Sequence, residues 1–263
     1  MRLLLSIDKH FPKKSLGQNF ISDKNYLEKI SKKISSNINT TIIEIGPGKA
    51  ALTNYLVKKK FKSLILIEKD IKLATELKLK FKNSTNITVH NEDALHKNYE
   101  YFKINTNTII VGNLPFNIST QLLFKWLGSK TWPPFYSEMI LMFQKEVAER
   151  ILSSPNKKKY GKITVAAQSR CKVEKLMLAP AEIFSPKPKV DGIILRFKPI
   201  LKYKNIDFVK LQQILDEAFR QRRKKIKSNL KNYLEILNKL QIDENLRAEN
   251  LTVNDYCNLT KYI

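Results

Sequence analysis

Residues 41–48 read TIIEIGPG, a short β-branched run that ends in a turn bounded by Gly46 and Gly48. From Ala51 to Lys60 the apolar residues recur at helical spacing, so this stretch predicts a strand, a tight turn and a helix. Only seven of the 263 residues are glycine. In such a glycine-poor chain, each remaining glycine marks a position where a side chain does not fit.

The same alternation of strand and helix continues along the chain. Further apolar strands are predicted at residues 64–67, 87–89, 108–111 and 138–143, with helices at 71–81, 145–152 and 163–168 and an extended pair around 186–197. Near-continuous apolar strands alternating with helices predict a parallel sheet covered on both faces. Ligands of such sheets bind at the carboxyl ends of the strands, which are Gly46, Glu68, Asp93 and Asn113 here.

The pattern changes after Pro199. Residues 208–230 and 233–240 have the spacing of amphipathic helices, and shorter helices are expected in 246–263. We therefore predict an α/β domain over residues 1–199 and a small all-helical domain over residues 200–263.

The composition of the chain limits the classes of function that it can have. Forty-eight Lys and Arg stand against 24 Asp and Glu, a net charge of +24, which favours a polyanionic partner over a merely lysine-rich surface. Two cysteines without CxxC spacing and three scattered histidines argue against a disulfide framework and a metal centre. The chain has no apolar run of membrane-spanning length, and residues 3–5 are too short a run for a signal peptide, so we expect a soluble, cytosolic protein. We also expect it to be a monomer.

A Gly-x-Gly turn followed 22 residues later by the acidic Glu68 is typical of a nucleoside-binding βαβ unit, and alone it fits NAD as well as S-adenosylmethionine. Lys49 follows Gly48 where a pyrophosphate needs an open helix N-terminus, and Glu44 precedes the turn. These features favour S-adenosylmethionine, whose cationic groups tolerate carboxylates. Asp93 would accept a hydrogen bond from the adenine amine, although a helix N-cap is an alternative role.

Residues 112–116, GNLPF, form the most specific segment of the chain. The side-chain oxygen of Asn113 and the carbonyl of Leu114, its direction restricted by the following proline, would accept both N–H groups of a planar amine and free its lone pair for methyl transfer. Phe116 would stack on the base that carries the amine. A plain structural turn is the alternative.

With these motifs the chain resembles the KsgA family of ribosomal RNA adenine dimethyltransferases. The matching segments, which run almost the full length of the chain, are residues 14–20, 44–48, 112–119, 144–150 and 184–191. The resemblance implies a Rossmann-like, S-adenosylmethionine-dependent methyltransferase. Its substrate would be two adjacent adenosines in a hairpin loop near the 3′ end of small-subunit rRNA, within the immature small ribosomal subunit, and each would take two methyl groups on N6.

The resemblance also implies roles for individual residues. The cofactor contacts would be Asn19, Ile21, Gly46, Glu68, Asp93 and Asn113. The target base would be held by Asn113, Leu114 and Phe116, with Phe184 as a second aromatic wall unless it belongs to the core. Two departures from the family pattern concern the site: Lys49-Ala50 replaces an apolar residue and a glycine, and Phe116 replaces a tyrosine.

Three of the eight arginines, Arg220, Arg222 and Arg223, fall within four positions. The planar guanidinium suits phosphate, so this cluster predicts a contact with the rRNA backbone, against a solvated helix face as the alternative. Lys157–Lys159 is a weaker case of the same kind.

Three other functions fit part of the pattern. An Erm-type enzyme would share fold and chemistry but methylate large-subunit rRNA. A ribosome-assembly factor would bind the immature subunit, with methylation secondary. A dinucleotide oxidoreductase would bind nicotinamide cofactor instead of S-adenosylmethionine.

Overall fold

The computed structural model describes residues 18–99 and 107–263. The strands in these residues are β1 (Phe20–Ile21), β2 (Thr41–Ile45), β3 (Ser63–Glu68), β4 (Ile87–Asn91), β5 (Thr108–Gly112), β6 (Glu138–Gln144), β7 (Cys171–Ala179), β8 (Phe184–Ser185) and β9 (Gly192–Pro199). The helices are α1 (Lys24–Lys33), α2 (Thr53–Leu56), α3 (Ile71–Lys80), α4 (Ser119–Leu127), α5 (Lys145–Ile151), α6 (Lys162–Arg170), α7 (Phe208–Ala218), α8 (Ile226–Asn229), α9 (Leu234–Lys239) and α10 (Val253–Thr260).

Seven of the strands form the main sheet in the order β4-β3-β2-β5-β6-β9-β7. The first five are parallel, as predicted, and β9 runs antiparallel to both β6 and β7. The chain order β2-β3-β4 runs outward to one edge and β5-β6 runs the other way. The strand order therefore reverses between β2 and β5, where α/β sheets bind their ligands.

The β2 strand shows why the sheet is buried on both faces. Ile43 and Ile45 point into one core cluster while Ile42 points into the other. This alternation is the period-two pattern of a strand, and helices cover both sides. The helices α4, α6 and α7 pack on the Ile43 face, and α1 packs on the Ile42 face.

The helical residues after Pro199 share one continuous core with the sheet. Phe208 and Leu215 of α7 belong to the same buried cluster as Trp126 of α4 and Phe197 of β9. Arg170, at the end of α6, is 3% exposed. Its guanidinium lies 4.6 Å from the ring of Trp132 and donates to the carbonyl of Ile206 at 2.9 Å. The division into two domains at residue 200 stays a prediction.

Three sequence-based predictions differ from the observed elements, and other elements were not predicted. The helix expected over 51–60 is regular only in α2, and the helix expected over 208–230 ends at Ala218. There, the Asn229 side chain donates to the carbonyl of Ala218 at 2.7 Å and closes the helix end, and turns follow until α8. Of the extended pair expected around 186–197, only β9 is a long strand. Its partner β7 and the helices α1 and α4 were not predicted. α1 is rich in lysine, and the alternation of β7 is interrupted by a register shift between Lys175 and Met177. α4 has apolar residues at helical spacing that could have indicated it.

Candidate functional site

An open cleft enclosing about 880 Å³ lies at the carboxyl edge of the parallel strands. Its wall comes from the chain before α1 and from the segments that end β2, β3, β4 and β5. The lining residues in these segments are 18–20, Ile45, Gly46, Gly48, 67–69, 92–94 and 113–118.

Most of the predicted site residues meet in this cleft. Those that line it are Asn19, Gly46, Glu68, Asp93, Asn113, Leu114 and Phe116. The other predicted residues lie elsewhere. Ile21 is 6% exposed in β1 and borders a second, apolar cavity beneath α1, and Phe184, its partner in β8, is 4% exposed in the core. Arg220, Arg222 and Arg223 lie in the turns after α7.

The turn after β2 carries three residues in the left-handed region. Gly46, Gly48 and Ala50 have φ values of 65°, 56° and 63°. A Cβ on Gly46 would meet no atom within 4 Å, so the glycine keeps backbone open to the cleft, whereas a Cβ on Gly48 would lie 2.6 Å from the Phe20 ring. Ala50 takes the conformation without being glycine, at a position where the resembling family has glycine.

Glu68 holds this turn at a fixed position relative to the end of β3. Its carboxylate accepts from the N–H of Gly48 at 3.0 Å and from the N–H of Asp70 at 2.9 Å. Burial raises the pKa of Glu68, and these two hydrogen bonds oppose the rise. The carboxylate is thus held at the cleft with lone pairs remaining for a hydroxyl donor.

Asp93 is bonded within the protein through both of its carboxylate oxygens. One oxygen accepts from the N–H of Leu95 at 2.9 Å, as in a turn cap, and the other pairs with Lys69 at 2.8 Å. Burial acts to raise the pKa of Asp93, but the hydrogen bonds from Lys69 and Leu95 lower it overall. Asp93 is therefore a carboxylate acceptor at the end of β4.

Asn113 is oriented by the segment before α1. Its side-chain Nδ2 donates to the carbonyl of Asn19 at 2.9 Å. The amide oxygen accepts no hydrogen bond among the described residues, and neither does the carbonyl of Leu114. Gly112 permits this arrangement, because a Cβ there would lie 2.9 Å from Leu114 and 3.0 Å from the Ile45 carbonyl. Two acceptors thus stand side by side on the loop after β5.

Sequence reasoning missed three lining residues with definite contacts. Gln18 donates to the Asp70 carboxylate at 3.4 Å, Phe20 packs beneath Gly48, and Lys69 pairs with Asp93. Lys69 directly follows the strand-end Glu68, so position alone could have indicated it. The family motif at residues 14–20 marks this segment, but no apolar spacing before α1 shows that residues 18–20 fold back over the sheet.

The described residues form neither a metal site nor a membrane-spanning helix. Within the described ranges, no group of three His, Cys, Asp or Glu side chains is placed to hold a metal ion. Nor does any described helix have the length and apolar character that crossing a membrane requires.

The parallel sheet, the glycine-bounded turn, the acidic strand ends and the two acceptors on the loop after β5 together fit a Rossmann-like methyltransferase. A sequence profile of the family described as "Ribosomal RNA adenine dimethylase" matches residues 9–263. A Pelagibacter ubique protein named "Ribosomal RNA small subunit methyltransferase A" is 40% identical over 263 residues, 95% of each chain. The chain therefore belongs to the ribosomal RNA adenine dimethylase family, and it is an S-adenosylmethionine-dependent rRNA adenine dimethyltransferase.

Solved structures agree with this assignment. A dimethyladenosine transferase from Plasmodium falciparum superposes with a TM-score of 0.79 at 25% identity, covering 91% of this chain and 95% of that one. The 23S rRNA methyltransferase ErmE gives a TM-score of 0.66 at 20% identity, over 92% of this chain and 98% of that one. This second likeness shows the fold alone.

The residues of the cleft fit the family's cofactor. Carboxylates at Glu68 and Asp93 suit ribose hydroxyls and an adenine amine. Gly46 keeps the backbone accessible where a side chain would project into open space. No cradle of backbone N–H groups for a pyrophosphate is formed, since the N–H groups of Gly46 and Gly48 are already donated within the protein.

We expect Ala50→Gly to stabilise the protein by about 1 kcal/mol, because an L side chain at positive φ is strained and glycine is not. Urea unfolding would measure the change. The matched control is Ala74→Gly in α3, which is equally buried at 1% but helical, and it should destabilise by about 1 kcal/mol. Destabilisation by both substitutions would contradict the strain at residue 50.

Glu44 gives a second prediction. It is 3% exposed and accepts from the Thr53 hydroxyl at 2.7 Å, and burial raises its pKa to about 7. Since this pKa is higher in the folded chain than in the unfolded chain, stability falls as pH rises from about 4.5 to about 7. Glu44→Gln should remove about 3 kcal/mol of that pH dependence.

Urea unfolding at several pH values from 4.5 to 8 would test this expectation. Glu235→Gln changes an exposed carboxyl on α9 and serves as the control. A Glu44→Gln protein whose stability depends on pH as steeply as the control's would show that Glu44 is ionised throughout this range.

Proposed function

We propose that this enzyme dimethylates N6 of two adjacent adenosines in the loop of the hairpin near the 3′ end of small-subunit rRNA. The observation that carries the proposal is the hydrogen bond from Asn113 to the carbonyl of Asn19. Because Nδ2 is the donor in this bond, the amide oxygen of Asn113 remains available as an acceptor beside the carbonyl of Leu114. Relatives named as small-subunit methyltransferases support the choice of rRNA.

The target adenosine must leave its stack to reach the cleft, as in other enzymes that modify a base. The two acceptors would then bind the two N–H groups of its amine. Because they pull on these hydrogens, the nitrogen lone pair is freed from conjugation with the ring and directed toward the cleft. Phe116, partly buried at the rim, is placed to stack on the base.

S-adenosylmethionine, when bound, supplies the electrophilic methyl group. In our proposal Glu68 holds its ribose hydroxyls, Asp93 its adenine amine, and Gly46 and Asn19 the backbone contacts. No strong base is required, because the attacked amine becomes acidic only as it gains positive charge. Phe184 is assigned no base contact in this proposal, because it is buried opposite Ile21 and supports the floor of the site.

The turns after α7 would contact the rRNA backbone, and the three arginines differ there. Arg222 pairs with Glu249 at 2.9 Å and donates to the carbonyls of Lys158 and Tyr160, so it ties the loop before α6 to the helical residues. Arg220 and Arg223 are exposed and make no ion pair in the described part of the chain. We therefore propose Arg220 and Arg223 as the phosphate contacts.

We further propose that the chain acts as a monomer on the immature small subunit in the cytoplasm, with residues 200–263 as its rRNA-binding domain. The alternative of a large-subunit target rests only on fold similarity to ErmE, which is 20% identical. An Asn113→Ala protein that still bound particles and still supported their assembly in cells would show instead that binding is the main role.

Asn113→Ala should lower the rate of adenosine dimethylation by about 100-fold or more, because it removes one acceptor from the transition state. Binding to small subunits should stay nearly unchanged. Small-subunit particles from cells lacking the enzyme would be incubated with methyl-labelled cofactor, and dimethyladenosine would be measured by mass spectrometry. Asn205→Ala, an exposed asparagine on the helical side, is the control. Full activity in Asn113→Ala would refute the mechanism, and label in large-subunit rRNA would refute the target.

Replacing Arg220 and Arg223 together by alanine should weaken binding to small subunits and reduce the magnitude of its salt slope by about 1.4–1.8, which corresponds to two lost phosphate contacts. Arg222→Ala should instead reduce the free energy of unfolding, because Glu249 and the carbonyls of Lys158 and Tyr160 lose their hydrogen-bond donor. Filter binding over a salt series and urea unfolding would separate the two effects. An unchanged slope in the double variant would exclude these arginines as phosphate contacts.

A further inference from the structure

A second groove of about 970 Å³ lies beside the cleft and has no role in the reaction described above. One wall is the start of α5, residues 144–149, and the other is the loop around residues 181–191. These walls are formed by two segments, 144–150 and 184–191, that the sequence singled out without giving them a function.

Both walls begin next to the active-site cleft. Gln144 ends β6, whose neighbour β5 ends in Gly112 and the Asn113 loop. The opposite wall follows β8, which pairs with Phe20 and Ile21, and Phe20 lines the cleft. The groove therefore lies at the same edge of the sheet as the cleft.

Hydrogen bonds hold the two walls in a fixed relation. The N–H of Lys145 donates to the carbonyl of Asp191 at 2.9 Å. The Asp191 carboxylate in turn accepts from the N–H of Ala181 at 3.0 Å. Beyond them, the N–H and hydroxyl of Ser22 both donate to the carbonyl of Ile183, at 2.8 and 3.0 Å. The groove is thus preformed.

The groove is lined by three lysines and four carboxylates. Three of the carboxylates are already bonded: Glu149 to Lys159, Glu182 to Lys187 at 2.7 Å and Asp191 to the N–H of Ala181. Lys145 and Lys189 are exposed and make no ion pair with a carboxylate of the described residues, so they can contact phosphate. Glu146 also has no ion-pair partner among the described residues. A carboxylate accepts hydrogen bonds from the amino groups of bases.

We propose that this groove binds the nucleotides that flank the target adenosine, with Lys145 and Lys189 on their phosphates and the Glu146 carboxylate facing a base edge. The proposal rests on the function proposed above and adds to it a second RNA-binding subsite. A base flipped into the cleft must drag its neighbouring nucleotides to the rim. The groove gives the strand on one side of that base a fixed path, and so helps to select the loop that is methylated.

Site-directed crosslinking tests the position of the groove. The chain has only two cysteines, Cys171 and Cys257, and both are buried, so a single new cysteine can be labelled selectively. Val190→Cys, at a side chain 43% exposed on the groove wall, would carry an azidophenacyl group. Ile38→Cys, at a side chain 69% exposed near the amino edge of the sheet, is the control.

Both labelled proteins would be irradiated on small subunits from cells lacking the enzyme, and crosslinks mapped by reverse-transcription stops. Val190→Cys should give stops within about three nucleotides of the adenosines that the unlabelled enzyme dimethylates on the same particles, and Ile38→Cys should not. Crosslinks only to ribosomal protein or to distant rRNA would overturn the proposal. Absence of dimethylation on these particles would instead refute the function proposed above, whatever the crosslinks show.

Removing the two unpaired lysines of the groove tests their contribution to methylation of the particle. Lys145→Ala with Lys189→Ala should lower kcat/KM for particle methylation about tenfold at low salt and reduce the magnitude of its salt slope by roughly 1.4, the value for two phosphates of a single strand. Lys60→Ala with Lys62→Ala makes the same charge change beside the amino end of β3 and should change neither quantity. Equal behaviour of the two double variants would overturn the proposal.

Discussion

The carboxylate of Glu68 accepts hydrogen bonds from two N–H groups that belong to different turns, that of Gly48 after β2 and that of Asp70 before α3. Burying a carboxylate without such donors would cost free energy, so the folded state keeps both turns hydrogen-bonded to it. Their separation sets the position of the cofactor side of the cleft. The loop after β5 is fixed in the same manner from the opposite direction, by the bond between Asn113 and the carbonyl of Asn19. Most of the site is therefore an arrangement of backbone groups held by a few buried side chains.

Much of the fold and of the cleft could be predicted from the sequence, and the reason is physical. Strands β2, β3, β5 and β6 are buried on both faces, so their residues are apolar and their ends are marked by glycine or by polar residues. Because parallel strands end at one edge, Gly46, Glu68, Asp93 and Asn113 had to meet there. The spacing of apolar residues thus carries information about a site as well as about a fold.

Most elements that escaped prediction lie where the local pattern is weak or interrupted. α1 is rich in lysine, so its apolar spacing is weak, and a register shift between Lys175 and Met177 breaks the alternation of β7. α4 is the exception, because its apolar spacing is clear. The break after Ala218 depends on Asn229, eleven residues further on, which no local pattern reveals. Phe184 and Arg222 are of residue types that suit a binding site, yet one is buried in the core and the other is bonded to Glu249 and two carbonyls. Residue type indicates what a side chain can bind, but only packing shows what it does bind.

The motif residues 14–17 lie outside the described part of the chain.

The core that Phe208 and Leu215 share with Trp126 and Phe197 has a consequence for protein engineering. Helices with a separate core can be exchanged between related enzymes as modules. Here an exchange of residues 200–263 would place foreign side chains against Trp126, Phe197 and the guanidinium of Arg170, all of which belong to the recipient. A chimaera that is meant to combine this catalytic sheet with the rRNA contacts of a relative would have to carry the facing residues of α4, α6 and β9 from the same donor.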